Sequence, residues 1–94
     1  MKTIEKKAVP KFFEKVLSGE KNFDVRLNRF RCKSGDTLVL REWNPTLKRY
    51  TGRSLKRKVT FVLKTKEIEK YWSKDEVKQF GFLVIGLEKL SRKI

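Results

Sequence analysis

Between residues 18 and 31 the chain reads SGEKNFDVRLNRFR, and Lys21, Asp24 and Arg26 within it have the types and spacing to hold an anion or move a proton. An arginine grips a phosphate or carboxylate through two parallel N–H bonds, and a partly buried lysine can carry a proton. A carboxylate between them would orient the lysine or an attacking water. Arg29 and Arg31 add charge a few residues on. The same three residues are equally accounted for by an exposed ion pair contributing at most about 1 kcal/mol, so the charge pattern alone leaves both readings open. A second basic feature runs from Lys48 through Arg49, Tyr50, Thr51 and Gly52 to Arg53, with Lys56, Arg57 and Lys58 beyond it. A tyrosine among cations suits nucleic acid, because its ring stacks a base, worth roughly 1–3 kcal/mol, while its neighbours hold phosphates. A solvated hairpin with one packed tyrosine is the plainer alternative. Trp43 and Trp72 are further stacking candidates, and Trp72 is the better one because the Tyr71-Trp72 pair precedes a helix start and is expected to line a cleft.

The chemistry available is narrowed by what the sequence lacks. There is no histidine and a single cysteine, Cys32, which removes zinc sites, Ser-His-Asp and Cys-His nucleophiles, and internal disulfides. No cofactor or metal is expected, and any metal would have to be a hard cation on carboxylates. General acid–base work would fall to Lys, Asp, Glu or Tyr. The 94 residues carry 25 Lys and Arg against 11 Asp and Glu, a formal charge of +14. Such an excess opposes compaction and is usually tolerated where a polyanion is met, and RNA or a nucleotide is the expected partner. No basic amphipathic helix with a wide apolar face, lipidation signal or transmembrane-length apolar run points to a membrane. With one thiol and no signal-type opening segment, the expected compartment is the cytoplasm.

These residues need elements to position them. The chain is read as one domain, 1–94, with its core in 5–88. The opening MKTIEKKAV is an edge strand or arm. VPKFFEKVLSGEK is a short helix, with Pro10 in its first turn, Phe12, Phe13, Val16 and Leu17 at core spacing, and Gly19 as a left-handed cap. NFDVRL alternates as a strand, turning Phe23, Val25 and Leu27 one way and Asp24 and Arg26 the other. Ser34-Gly35-Asp36 turns into a strand from Thr37 to Trp43, and NPTLKRYTGRS is a protruding loop or hairpin tip. LKRKVTFVLKT is a returning strand. Ser73 and Glu76 form a capping box for a two-turn helix closed by Gly81. FLVIGLEKL is a strand buried on both faces, and SRKI a loose tail. The order β-α-β-β-β-α-β, with neighbours pairing antiparallel, predicts an α+β fold: a mixed, closed or half-closed β-barrel of about five strands flanked by two short helices.

PKFFEKVLSGEKNFDVRLNRFRCKSGDTLVLREWN resembles the ASCH domains of the PUA-like superfamily, in particular the small DUF3850-type members of bacteria and their phages. The likeness rests on Gly19, Lys21, Asp24 and Arg26 as G-x-K-x-x-[DE]-x-R, on the Gly35-Asp36 turn into LREW, and on YTGRSLKRKVTFVL and GFLVIGLE, covering residues 5 to 88. It implies a PUA-like barrel with a cleft between barrel and helices that binds RNA or a modified nucleoside. Some small members are amidohydrolases that deacetylate N4-acetylcytidine with a Lys, a Thr nucleophile and a Glu. Lys21 matches that lysine, but Asp24 stands where the threonine would, so no hydroxyl is present there. Glu67, Glu69, Asp75 and Glu76 are candidates for the third carboxylate. Where relatives often carry a histidine near the start, this chain has Glu5-Lys6-Lys7.

The expected function is RNA or nucleoside binding in a basic cleft formed by Lys21, Asp24, Arg26, Arg29, Arg49, Tyr50, Arg53 and Trp72. The alternatives are a nucleoside amidohydrolase in which Lys21 is the base and Asp24 orients it or the water, and a phage or bacterial interaction protein with a host protein as partner.

Overall fold

The computed structural model describes residues 1–88 and 90; the expected loose tail, SRKI, lies outside them. Thr3–Ala8 (β1), Thr37–Asn44 (β2) and Arg49–Lys58 (β3) form one sheet in the order β1-β2-β3, preceded on its β1–β2 connection by the helix Pro10–Ser18 (α1). Pro10 supplies the fixed φ of the first turn, and Gly19 ends the helix at φ 88°, a left-handed position that costs glycine nothing.

One face of the sheet is the core. Phe13 and Val16, one turn apart on α1, pack on Ala8, Leu40 and Leu55, one from each strand, with Leu38 alongside. Phe13 is 1% exposed. A nine-residue helix offers a single narrow stripe, and so Phe12 and Leu17, expected in the core, flank it and stay about half exposed.

β1 and β2 run parallel, Thr3 beside Thr37 through Ala8 beside Glu42, because α1 and the long segment after it carry the chain back before β2 begins. Asp36 secures this join: fully buried, its carboxylate accepts the backbone N–H of Lys2 at 3.1 Å and of Lys33 at 3.0 Å. Those backbone donors hold its pKa below the ordinary value. β2 and β3 are antiparallel, joined by a hairpin in which Asn44 Oδ1 accepts from the N–H groups of Thr46 and Leu47.

The pairing is interrupted between Arg41 and Trp43, where β3 carries extra residues opposite Glu42. Glu42 is 4% exposed. Its carboxylate accepts from Thr51 Oγ1 at 2.6 Å and from Arg53 Nε and Nη2, each at 2.9 Å. Arg53, followed by the Thr51 hydroxyl, pulls the Glu42 pKa down to about 2. The bulge is thereby tied across the sheet, and Gly52 at φ 99° lets the chain turn there.

The five-strand barrel is not what forms. Among the described residues the sheet is open and has three strands; it is mixed, as expected, with β1 parallel to β2 and β3 antiparallel to it. The segment NFDVRL is irregular, with Val25 and Leu27 exposed, since no neighbouring strand covers its apolar side. The third strand lies earlier than expected, ending at Lys58, and 59–64 continue without pairing apart from the exchange of bonds between Val59 and residues 35–36. FLVIGL is likewise unpaired, with Leu83 88% and Ile85 70% exposed. Alternation and β-branching make a segment ready to pair, but a strand exists only where a second backbone meets it.

After Thr65–Ile68 (α2) and a 3₁₀ turn, Glu69–Tyr71, the helix Lys74–Phe80 (α3) begins with the expected capping box: Ser73 Oγ accepts from Glu76 N–H, and Glu76 accepts from Ser73 N–H. The following segment touches the first part of the chain at Gly86, where an added Cβ would meet Asn22 Oδ1 at 2.5 Å and the Phe23 ring at 3.1 Å. The Asn22 amide donates to Leu87 O at the same place.

Candidate functional site

Strand register decides which charges meet. Glu5 and Lys7 on β1 share the face opposite α1 with Arg41 on β2, Lys7 lying directly beside Arg41. Across the hairpin Trp43 pairs with Tyr50, their rings edge to face with centroids 5.0 Å apart. The Lys7 ammonium sits over the Trp43 ring at 3.7 Å and the Arg41 guanidinium over Tyr50 at 3.8 Å. At the free edge of β1, Lys6 lies over Phe30 at 3.6 Å. Each ring restrains a cation at the surface without using up its N–H donors, a contribution of about 0.5–1 kcal/mol at exposed sites.

Beside them is an open depression of about 390 Å³ lined by Glu5, Lys6, Lys7, Arg26, Arg41 and Tyr50. Four cations, one tyrosine and one carboxylate face it. That composition suits a phosphate-bearing ligand with a flat base: guanidinium and ammonium donors for the phosphates, Tyr50 and its Arg41 partner for stacking.

Lys21, Asp24 and Arg26 do come together, with Lys21 and Asp24 half-buried and Arg26 exposed. Asp24 accepts from Arg26 Nε at 2.7 Å and from Nη2 at 3.3 Å, a two-pronged grip, while Lys21 Nζ lies 3.8 Å from Asp24 Oδ1. Lys21 donates to Phe23 O at 3.0 Å, between the Phe12 and Phe23 rings. Arg26 reaches from this cluster to the depression, so Lys21 and Asp24 stand behind the site and hold the arginine that faces it.

The remaining expected residues scatter. Tyr50 lines the depression. Arg49 pairs with Asn44 at the hairpin tip, and Arg29 is exposed in the irregular segment, both outside the lining. Arg53 serves the fold: it bonds Glu42 and Glu14 and stacks over Phe13 at 4.8 Å. Trp72 belongs to a second depression, with Glu69, Lys70, Lys74, Val77 and Lys78, and packs edgewise on Phe82. Of the candidate third carboxylates, Glu69 lines that second depression, Glu76 is spent in the capping box, and neither Glu67 nor Asp75 lines the first.

Sequence reasoning missed Glu5, Lys6, Lys7 and Arg41. The period-two pattern of Glu5 and Lys7 was available, but their neighbour Arg41 is 34 residues away and is brought to Lys7 only by parallel pairing. Among the described residues no group of three His, Cys, Asp or Glu is placed to hold a metal, and no helix is long and apolar enough to cross a membrane.

The family model described as Domain of unknown function (DUF3850) matches residues 3–75. No curated protein and no solved structure matches the chain.

Proposed function

We propose that this chain, which belongs to the DUF3850 family, is an RNA-binding protein whose ligand lies in the depression at the free edge of β1. The observation that carries this is the lining itself: Lys6, Lys7, Arg26 and Arg41 around Tyr50, on a chain of net charge +14. The four cations take phosphates, and a base stacks on the Tyr50 and Arg41 pair. The spacing of Gly19, Lys21, Asp24 and Arg26, which resembles the ASCH motif, adds support for an RNA or modified-nucleoside ligand.

Binding is favoured over turnover by what surrounds Lys21. Asp24 gives both oxygens to Arg26, and the Lys21 ammonium is spent on Phe23 O and Asp24. A base and a water-orienting acid would need those groups free.

The test is the salt dependence of affinity for a short single-stranded RNA, read by fluorescence anisotropy. If four phosphates are neutralised, affinity falls roughly 50-fold between 50 and 200 mM salt, from a slope of about −0.7 per phosphate on single strands. Replacing Lys7 and Arg41 together by glutamine should weaken binding to all sequences alike and reduce the slope by about 1.4. Affinity that is flat with salt overturns the reading.

A further inference from the structure

Glu5 is out of place in a cleft for phosphates. Among the described residues it is the one carboxylate lining the depression, and it repels every RNA that enters. Its nearest cation among the described residues is Arg41, with Nε 3.9 Å from Oε1, too far for a hydrogen bond, and its side chain is 62% exposed. Both oxygens therefore keep their acceptor capacity, in contrast to Asp24, each of whose oxygens accepts from Arg26. A free carboxylate beside the Arg41 guanidinium that lies over Tyr50 is costly for phosphate and favourable for one thing: a pair of N–H donors on the edge of a stacked base.

We propose that Glu5 reads the base stacked on the Arg41–Tyr50 pair and selects unpaired guanine. This rests on the RNA-binding reading above and adds a specificity to it. Guanine presents N1–H and the N2 amino group side by side, matching the two oxygens of one carboxylate. Cytosine and adenine present one amino group next to a ring-nitrogen acceptor, and uracil a single N–H between two carbonyl oxygens, which Glu5 repels. Both guanine donors are engaged in a duplex, so the preference applies to single-stranded or looped RNA.

The experiment compares three labelled pentamers, UUGUU, UUIUU and UUUUU, with inosine lacking only the N2 amino group, on the intact protein and on Glu5→Gln at one low salt concentration. The expected result is about tenfold tighter binding of UUGUU than of UUUUU, with UUIUU between them. In Glu5→Gln the guanine preference should shrink below about twofold while UUUUU binds roughly twofold tighter, because the repulsion is gone and the acceptor pair is broken. Equal affinity of the intact protein for all three pentamers overturns the proposal and leaves RNA binding standing. So does a Glu5→Gln variant that tightens all three by the same factor, the behaviour of a purely electrostatic residue. Failure of every pentamer and of a longer RNA to bind overturns the RNA reading itself.

Discussion

Residues 3–58 and residues 59–88 fold to different extents, and the less folded stretch is the more apolar one. The first stretch closes α1 onto three strands and buries Phe13, Leu40 and Leu55 together with the Glu42 carboxylate. The second is richer in apolar residues, yet Phe61, Leu83, Ile85 and Leu87 all stand in solvent. It is held by local devices: the Ser73 capping box, the edgewise Trp72–Phe82 contact and the Asn22 bond to Leu87 O. Hydrophobicity stabilises only when another apolar surface is presented to it, and here α1 and the sheet present theirs to each other. The candidate RNA site lies on the first stretch, where strands and packed rings fix its cations, as a site needs.

Substitutions can break that contrast, and the largest effect is expected at its centre. Phe13→Ala should cost about 3–5 kcal/mol and leave the first stretch unfolded or nearly so, read by chemical denaturation. Glu42→Gln comes next, since it leaves Arg53 and Thr51 against a weaker acceptor, and should lower Tm by roughly 5–15 °C. It also carries a pH signature. The folded Glu42 pKa of about 2 lies below the ordinary 4.5, so its contribution is complete above about pH 4.5 and is lost as pH falls toward 2. Acid titration of Tm should therefore be flatter in Glu42→Gln over that window.

Smaller effects belong to the second stretch. Ser73→Ala removes a cap worth about 1 kcal/mol. Because α3 buries nothing, hydrogen exchange should speed up for the amides of 74–80 with the global Tm nearly unchanged. Leu83→Ser should change stability by no more than about 0.5 kcal/mol in denaturation, as for an exposed residue. A loss as large as that of Phe13→Ala would mean that 82–88 is packed in solution and would erase the contrast between the two stretches.

Features written in neighbouring residues were legible in the sequence. Pro10 and Gly19 bound α1, Ser73 with Glu76 opens α3, and Asp36 and Trp43 bracket most of β2, because caps, turns and alternation act over a few residues. The Lys21, Asp24 and Arg26 cluster was legible for the same reason, since it spans six positions. NFDVRL and FLVIGL misled because they carry strand composition, whereas a strand requires a partner backbone. Arg53, read as a ligand contact, became a buried-acid clamp because the β3 bulge placed it on Glu42.

The sequence by itself determined that this chain is strongly basic, forms α1, α3 and a β2–β3 hairpin, and joins Asp24 to its flanking cations. Only the tertiary structure decided that β1 pairs parallel to β2, which sets Glu5, Lys7, Arg41 and Tyr50 along one depression, and that Arg53 bonds the buried Glu42 carboxylate. The physical reason is range: local backbone preferences act within a turn or two, while a surface assembled from positions 5, 26, 41 and 50 exists only after the chain between them has paired and packed.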